Sequence, residues 1–210
     1  MSMDDPTLFA RVDNEPDSIF YREPRLVEHI DQSAIGAIET IYRERIPANA
    51  DVLDLMSSWV SHLPAEVRYA SVTGLGMNAY ELERNPRLDR YDLADLNARP
   101  ILPYDDASFD AALICVSIQY LTKPVAVMRE LARVVRPDGV AIVTFSNRCF
   151  PTKAVAVWRA TDDRGHCALV SAYFDEAGNW DRLETISRAG RRSDPLYAVV
   201  ARRVRAHPHP

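Results

Sequence analysis

The central stretch of the chain alternates two hydrophobic patterns. Short, nearly continuous apolar runs at Val52–Met56, Tyr69–Thr73, Ala111–Val116 and Val140–Phe145 have the character of strands covered on both faces, because a strand with one wet face would alternate apolar and polar positions. Between them lie helix-like stretches at Ala79–Arg84 and Pro124–Val135, the second with Val127, Met128, Leu131, Val134 and Val135 along one face. Strand and helix in alternation predict a parallel sheet with helices on both sides. Upstream, Leu26, Ile30, Ala34, Ile38 and Ile41 recur at spacings of three and four, which predicts an amphipathic helix within residues 19–46, ended by Pro47. The last third predicts helices around Ala154–Ala160 and His166–Phe174 and strands near Trp180–Ile186 and Leu196–Ala201. Two successive strands with no helix between them should pair antiparallel.

Composition narrows the picture. With 210 residues, 47% of them hydrophobic, the chain can bury one substantial core and falls short of the usual size for two. Residues 1–18 carry Asp4, Asp5, Asp13, Glu15 and Asp17 with two prolines, and so predict a loose arm ahead of a single domain over 19–210. The net charge of -5 offers no general attraction to nucleic acid or an anionic membrane. Arg202, Arg203 and Arg205 read as a solvated end to the last strand. Cys115, Cys149 and Cys167 are odd in number and include no CxxC pair, which suits reduced thiols and argues against a zinc site. No eighteen-residue apolar stretch occurs, and the first thirty residues lack a basic segment followed by an apolar run. The expectation is a cytoplasmic protein.

Two pieces of sequence carry a resemblance. Leu102-Pro103-Tyr104-Asp105-Asp106-Ala107-Ser108-Phe109-Asp110 leads into the apolar run ending at Val116, and Glu130-Leu131-Ala132-Arg133-Val134-Val135-Arg136-Pro137-Asp138-Gly139 precedes the next. In order and separation they closely resemble class I S-adenosylmethionine (SAM) dependent methyltransferases, over about residues 51–146. The resemblance implies a Rossmann-like, doubly wound and mostly parallel sheet of seven strands, the last antiparallel, with helices on both faces. SAM would be the cofactor and S-adenosylhomocysteine the product. Taken without the family, Pro137-Asp138-Gly139 is turn chemistry that stops a helix and restarts a strand.

The resemblance also assigns a site, with departures. In the family the first strand ends in an acidic residue followed by alternating glycines; here Asp54 is present, but the loop reads Leu55-Met56-Ser57-Ser58-Trp59-Val60 with no glycine. Ser57 and Ser58 offer hydroxyls to a cofactor, while Met56 and Trp59 narrow the space. The family's acidic residue at the end of the second strand falls on Gly76. Asn78 can substitute through its amide, or simply cap a helix. Met77 is placed to lie against an adenine ring. Asp95, with Leu96 and Asn97 after it, matches the family's adenine-binding aspartate, and an ordinary Asx turn is the other reading. Val116 and Ser117 follow the fourth strand, and Tyr21 and Arg25 belong to a covering segment that begins at Phe20 and also carries His29 and Asp31.

Methyl transfer from a sulfonium is an in-line displacement needing alignment and, for an oxygen or nitrogen acceptor, a proton acceptor. The candidates for that chemistry are His29, Tyr120 and Asn147, with His62 behind them and Gln119, Ser146 and Arg148 nearby in sequence. Trp59 and Trp158 can flank a ring or cation, or fill core. The Asn-Pro-Pro-Tyr type of motif found in many DNA and protein-amide methyltransferases is absent, Val116 to Tyr120 standing in its place, so the expected acceptor is a small molecule. The alternative is a non-catalytic binding or scaffold protein whose old cofactor space Met56 and Trp59 fill. A nicotinamide-dependent oxidoreductase lacks its glycine fingerprint here.

Overall fold

A computed structural model describes Met3, residues 5–188 and residues 193–205. Asp4 of the predicted arm lies outside the described residues. Seven strands, β1 (Asp51–Leu55), β2 (Ser71–Gly76), β3 (Arg90–Leu93), β4 (Phe109–Cys115), β5 (Val135–Phe145), β6 (Trp180–Arg188) and β7 (Leu196–Arg203), form one sheet in the order β3-β2-β1-β4-β5-β7-β6. The β1–β2, β1–β4, β2–β3 and β4–β5 pairs are parallel, and β7 is antiparallel to both β5 and β6. Six strands therefore run one way and β7 the other.

The near-continuous apolar runs arise because both faces of the sheet are covered. Val52, Val72, Ala111, Leu113, Val140, Ile142, Ala198 and Val200 pack with Ile35, Ile38, Ile41 and Tyr42 of helix α2 (Gln32–Arg45), counted after a single turn α1 (Asp17–Phe20). Alternate positions, including Leu53, Leu55, Leu75, Ala112, Ile114, Ala141, Val143 and Val199, join a second cluster with Val127, Met128, Leu131, Val170, Tyr173 and Phe174. Those residues come from α4 (Pro124–Val134) and α6 (Asp163–Ala177). The other α-helices among the described residues are the short α3 (Ala79–Leu82) and α5 (Ala156–Arg159).

Three expectations need correction. The helix predicted within 19–46 begins only at Gln32, where the Asp31 side chain accepts from Ala34 N at 2.9 Å and caps it; Leu26 lies ahead of it and is exposed. The Pro137-Asp138-Gly139 turn lies inside β5, which already pairs with β4 at Val135. There Asp138 takes a left-handed φ of 65°, and a Cβ on Gly139 would stand 2.8 Å from the carbonyl oxygens of both Asp110 and Arg136. The segment predicted as a loose arm is docked: Phe9 is buried, Ala156 N donates to Ala10 O at 2.8 Å, and Asp13 N donates to Thr152 O at 2.9 Å. Two of its acidic residues, Asp13 and Asp17, are counter-charges of buried cations. Lys153 is completely buried, its Nζ 3.1 Å from Asp13 and 3.3 Å from Asp17, and Arg11 pairs with Asp17 at 2.7 Å.

The two pieces of sequence that carry the resemblance are bonded to one another. Leu102 N donates to Glu130 at 2.9 Å, and the Arg133 guanidinium donates to Leu102 O and Tyr104 O at 2.9 and 2.7 Å. Their residues hold the approach to β4 against α4.

Candidate active site

The strand order reverses direction at β1 and β4, whose connections leave toward opposite ends of the sheet. A crevice forms at such a point beyond the carboxyl ends of the strands. Here it is a cavity of about 330 Å³. Both strand ends that form it turn sharply: Met56 and Val116 have φ of 57° and 49°. That region is rare for a β-branched residue, and such strain concentrates at ligand sites.

The glycine-free first loop is built on serines that serve the protein. Asp54 is 2% exposed, and one of its oxygens accepts from both Ser57 Oγ and Ser61 Oγ at 2.6 Å. Ser58 Oγ donates to Glu81 at 2.6 Å. Asn85 completes the network by donating to Ser61 Oγ and Ser58 O. The hydroxyl protons expected to meet a cofactor are therefore directed inward. The close backbone approach that loop glycines would allow is made at the end of β2 instead: a Cβ on Gly76 would stand 2.3 Å from Ser57 O. Burial pushes the Asp54 carboxyl up to about 6, and the serine bonds oppose the rise.

Asn78 is the cap of α3. Its Oδ1 accepts from Glu81 N at 3.2 Å, and its Nδ2 donates to Tyr21 O and Arg22 O. Both ends of the amide are engaged, so the capping reading applies. Glu81, which the sequence reading passed over, is buried; its two oxygens accept from Ser58 Oγ and from Arg25 N. The Asn-x-x-Glu spacing of a capping box was its available signal. Asn78, Glu81 and Trp59, whose Nε1 donates to Val27 O at 3.2 Å, pin the covering segment over the cavity.

Asp95 makes the Asx turn, its Oδ1 accepting from Asn97 N and Ala98 N at 2.9 and 3.0 Å. Neither bond uses Oδ2. Tyr21, Arg25, Asp54, Ser57, Ser58, Gly76, Met77, Asn78, Asp95, Leu96, Val116 and Ser117 all line the cavity, as do His29, His62 and Tyr120. Asn147 does not: it is exposed, off the lining. Asp31 is spent on its cap and on Asp194 N, and Trp158 stacks in the core on His166 with centroids 3.9 Å apart. Burial lowers the pKa of His29 and of His62, leaving both imidazoles neutral at pH 7. Burial pushes the Tyr120 hydroxyl up to about 12; it remains protonated and accepts from Phe150 N at 2.8 Å. Among the described residues no three His, Cys, Asp or Glu side chains gather as a metal site, and no helix is long and apolar enough to cross a membrane.

A seven-stranded sheet with this order and a cavity at this switch point define a Rossmann-like fold. Residues 57–143, under half of the chain, match the methyltransferase domain family, the family that the Leu102–Asp110 and Glu130–Gly139 pieces resemble. Similar solved structures support the fold. A chain from a complex containing the Haloferax volcanii Trm112 methyltransferase activator superposes with a TM-score of 0.65 at 16% identity, covering 84% of this chain and 92% of that one. The cyclase SpnF gives 0.63 at 16% identity, covering 89% and 90%. A SAM-dependent methyltransferase from Mesorhizobium loti gives 0.54 at 16% identity, covering 78% and 96%. No curated protein matches the chain.

Proposed function

We propose that the protein transfers a methyl group from SAM to a small-molecule acceptor in the cytoplasm, leaving S-adenosylhomocysteine. The observation that carries this reading is the open cavity at the β1–β4 switch point, where a scaffold would have Met56 and Trp59 filling the space. Its volume falls in the range of about 300–1,000 Å³ usual for ligand sites.

The lining suits the group. Glu28, Asp54, Glu81 and Asp95 line it against Arg25 and Arg148, and Asp17 is already balanced by Arg11 and Lys153; the remaining excess of carboxylates favours a ligand carrying a sulfonium and an ammonium. Ser117 Oγ, at the end of β4, is buried on the lining and has no partner in the protein. A buried hydroxyl left so costs free energy that a ligand can return.

When bound, SAM supplies an activated methyl group on sulfur. Asp95 Oδ2 would accept from an adenine amino group, and Leu96 and Met77, on the same lining, would supply apolar contact for the ring. Glu81 offers carboxylate oxygens in place of the one missing at Gly76. Tyr21 and Arg25 keep water from the far side. His29, neutral and on the cavity wall, takes the proton of an oxygen or nitrogen acceptor. Tyr120, still protonated, donates rather than accepts there.

A second reading, a non-catalytic binding protein, draws support from the serine hydroxyls committed to Asp54 and Glu81. Calorimetric titration with SAM and S-adenosylhomocysteine separates the two. Micromolar binding, weakened tenfold or more by Asp95→Ala, is the expected result; no binding of either ligand favours the second reading.

A further inference from the structure

The docked N-terminal segment reaches the cavity through one carboxylate. Asp17 is 4% exposed and lies on the lining. Its Oδ1 is 2.7 Å from Arg11 Nη1 and 3.3 Å from Lys153 Nζ. Its Oδ2 accepts from Arg11 Nη1 and from Asn97 Nδ2, both at 2.8 Å. Lys153 Nζ also donates to Glu15 O at 2.9 Å. Two cations thus hold the carboxylate in place, and its remaining bond goes to Asn97.

Asn97 is the joint between both walls of the cavity. Its backbone N donates to Asp95 Oδ1, forming the turn that aims the Asp95 carboxylate. Its Nδ2 donates to Tyr120 O at 2.9 Å as well as to Asp17, and its Oδ1 accepts from Thr122 N at 2.7 Å and Thr122 Oγ1 at 3.0 Å. The Asp95–Asn97 turn follows β3, and Tyr120 follows β4. The Asp17 bond is the contribution of the described N-terminal residues to holding the amide that ties these segments together.

We infer that Asp17 is a positioning residue for the adenine end of the cofactor site, acting through Asn97 on the Asp95 turn. The inference rests on the reading of the cavity as a SAM site. It makes residues 11–17 part of the binding machinery, although no residue there but Asp17 lines the cavity. A hydrogen bond to a charged group inside a protein is about twice as strong as a neutral one. Replacing the carboxylate by an amide therefore loosens the clamp while keeping its size.

The test is binding of S-adenosylhomocysteine and of its inosine analogue, which presents an oxygen where adenine has its amino group, to wild type, Asp17→Asn and Asn97→Ala. Wild type is expected to prefer the adenosine ligand. Both variants should lose about tenfold in affinity for it and most of that preference, because a loosened Asp95 no longer distinguishes amino from oxo. General destabilisation would weaken both ligands alike and leave their ratio unchanged, which overturns the inference. Wild-type affinity and ratio retained in folded Asp17→Asn overturn it too, leaving the cofactor reading intact. If wild type binds neither ligand, the cofactor reading itself fails and the inference falls with it.

Discussion

Asp54 shows how the first loop works without glycine. Its buried carboxylate receives two serine hydroxyls on a single oxygen, and burial still lifts its pKa from 3.8 to about 6. Between those values the native protein holds a proton that the unfolded chain has released. The group therefore favours folding below about pH 4, and that contribution is lost as pH rises through about 6, an effect of roughly 3 kcal/mol. Relative to wild type, Asp54→Asn should gain stability in urea unfolding as pH is raised from about 4.5 to about 7. A constant difference across that range would show that the carboxyl titrates normally. At this scale the sequence was a good guide to which residues line the cavity and a poor one to what they bond. Ser57, Ser58 and Asn78 sit on the lining as expected, yet their donors are taken by Asp54, Glu81 and the Tyr21 and Arg22 carbonyls. A sequence records that a hydroxyl is available, but not that a neighbouring carboxylate will claim it.

Among the elements, the covering segment depends most on others. Residues 21–30 have no helix or strand of their own, and their anchors are Asn78, Glu81 and Trp59. Asn78→Ala should cost about 1 kcal/mol as a lost cap. It should also speed amide exchange over residues 21–29 well beyond the change in the strands, because two carbonyl anchors disappear with the cap. Equal acceleration throughout would mean that the segment is held by something else. The helix predicted there failed to start early because Pro24 interrupts the pattern and Asp31 supplies a better beginning. Strand β3 was not legible at all: Arg90-Tyr91-Asp92-Leu93 has no apolar run, since it is an edge strand with a largely exposed face. Its existence is decided by pairing with β2, which no local window contains. By contrast, β1, β2, β4 and β5 were readable because burial on both faces leaves a continuous apolar mark.

For the molecule as a whole, the sheet and its single reversed strand followed from the order of elements and the family resemblance, whereas the docking of residues 5–17 did not. Composition treats Asp13 and Asp17 as solvated charges; the fold spends them on Lys153, which has no water to meet. Removing residues 1–16 would take Arg11, Asp13 and the Glu15 carbonyl from this network. Breaking a buried pair costs about 3–5 kcal/mol, so the shortened chain should unfold at distinctly lower urea concentration. An unchanged midpoint would show that the segment is only laid on the surface. The same whole-molecule view places the cavity: β1 and β4 part company at their carboxyl ends, and the loops from both, together with those after β2 and β3, converge on one space.

Amide hydrogen exchange with and without saturating S-adenosylhomocysteine tests most directly whether that space is the cofactor site. Slower exchange is expected over residues 54–60, 75–78, 94–97 and 116–121, with α6 unaffected. Binding that leaves those four segments unchanged, or protects a different part of the chain, would contradict the account.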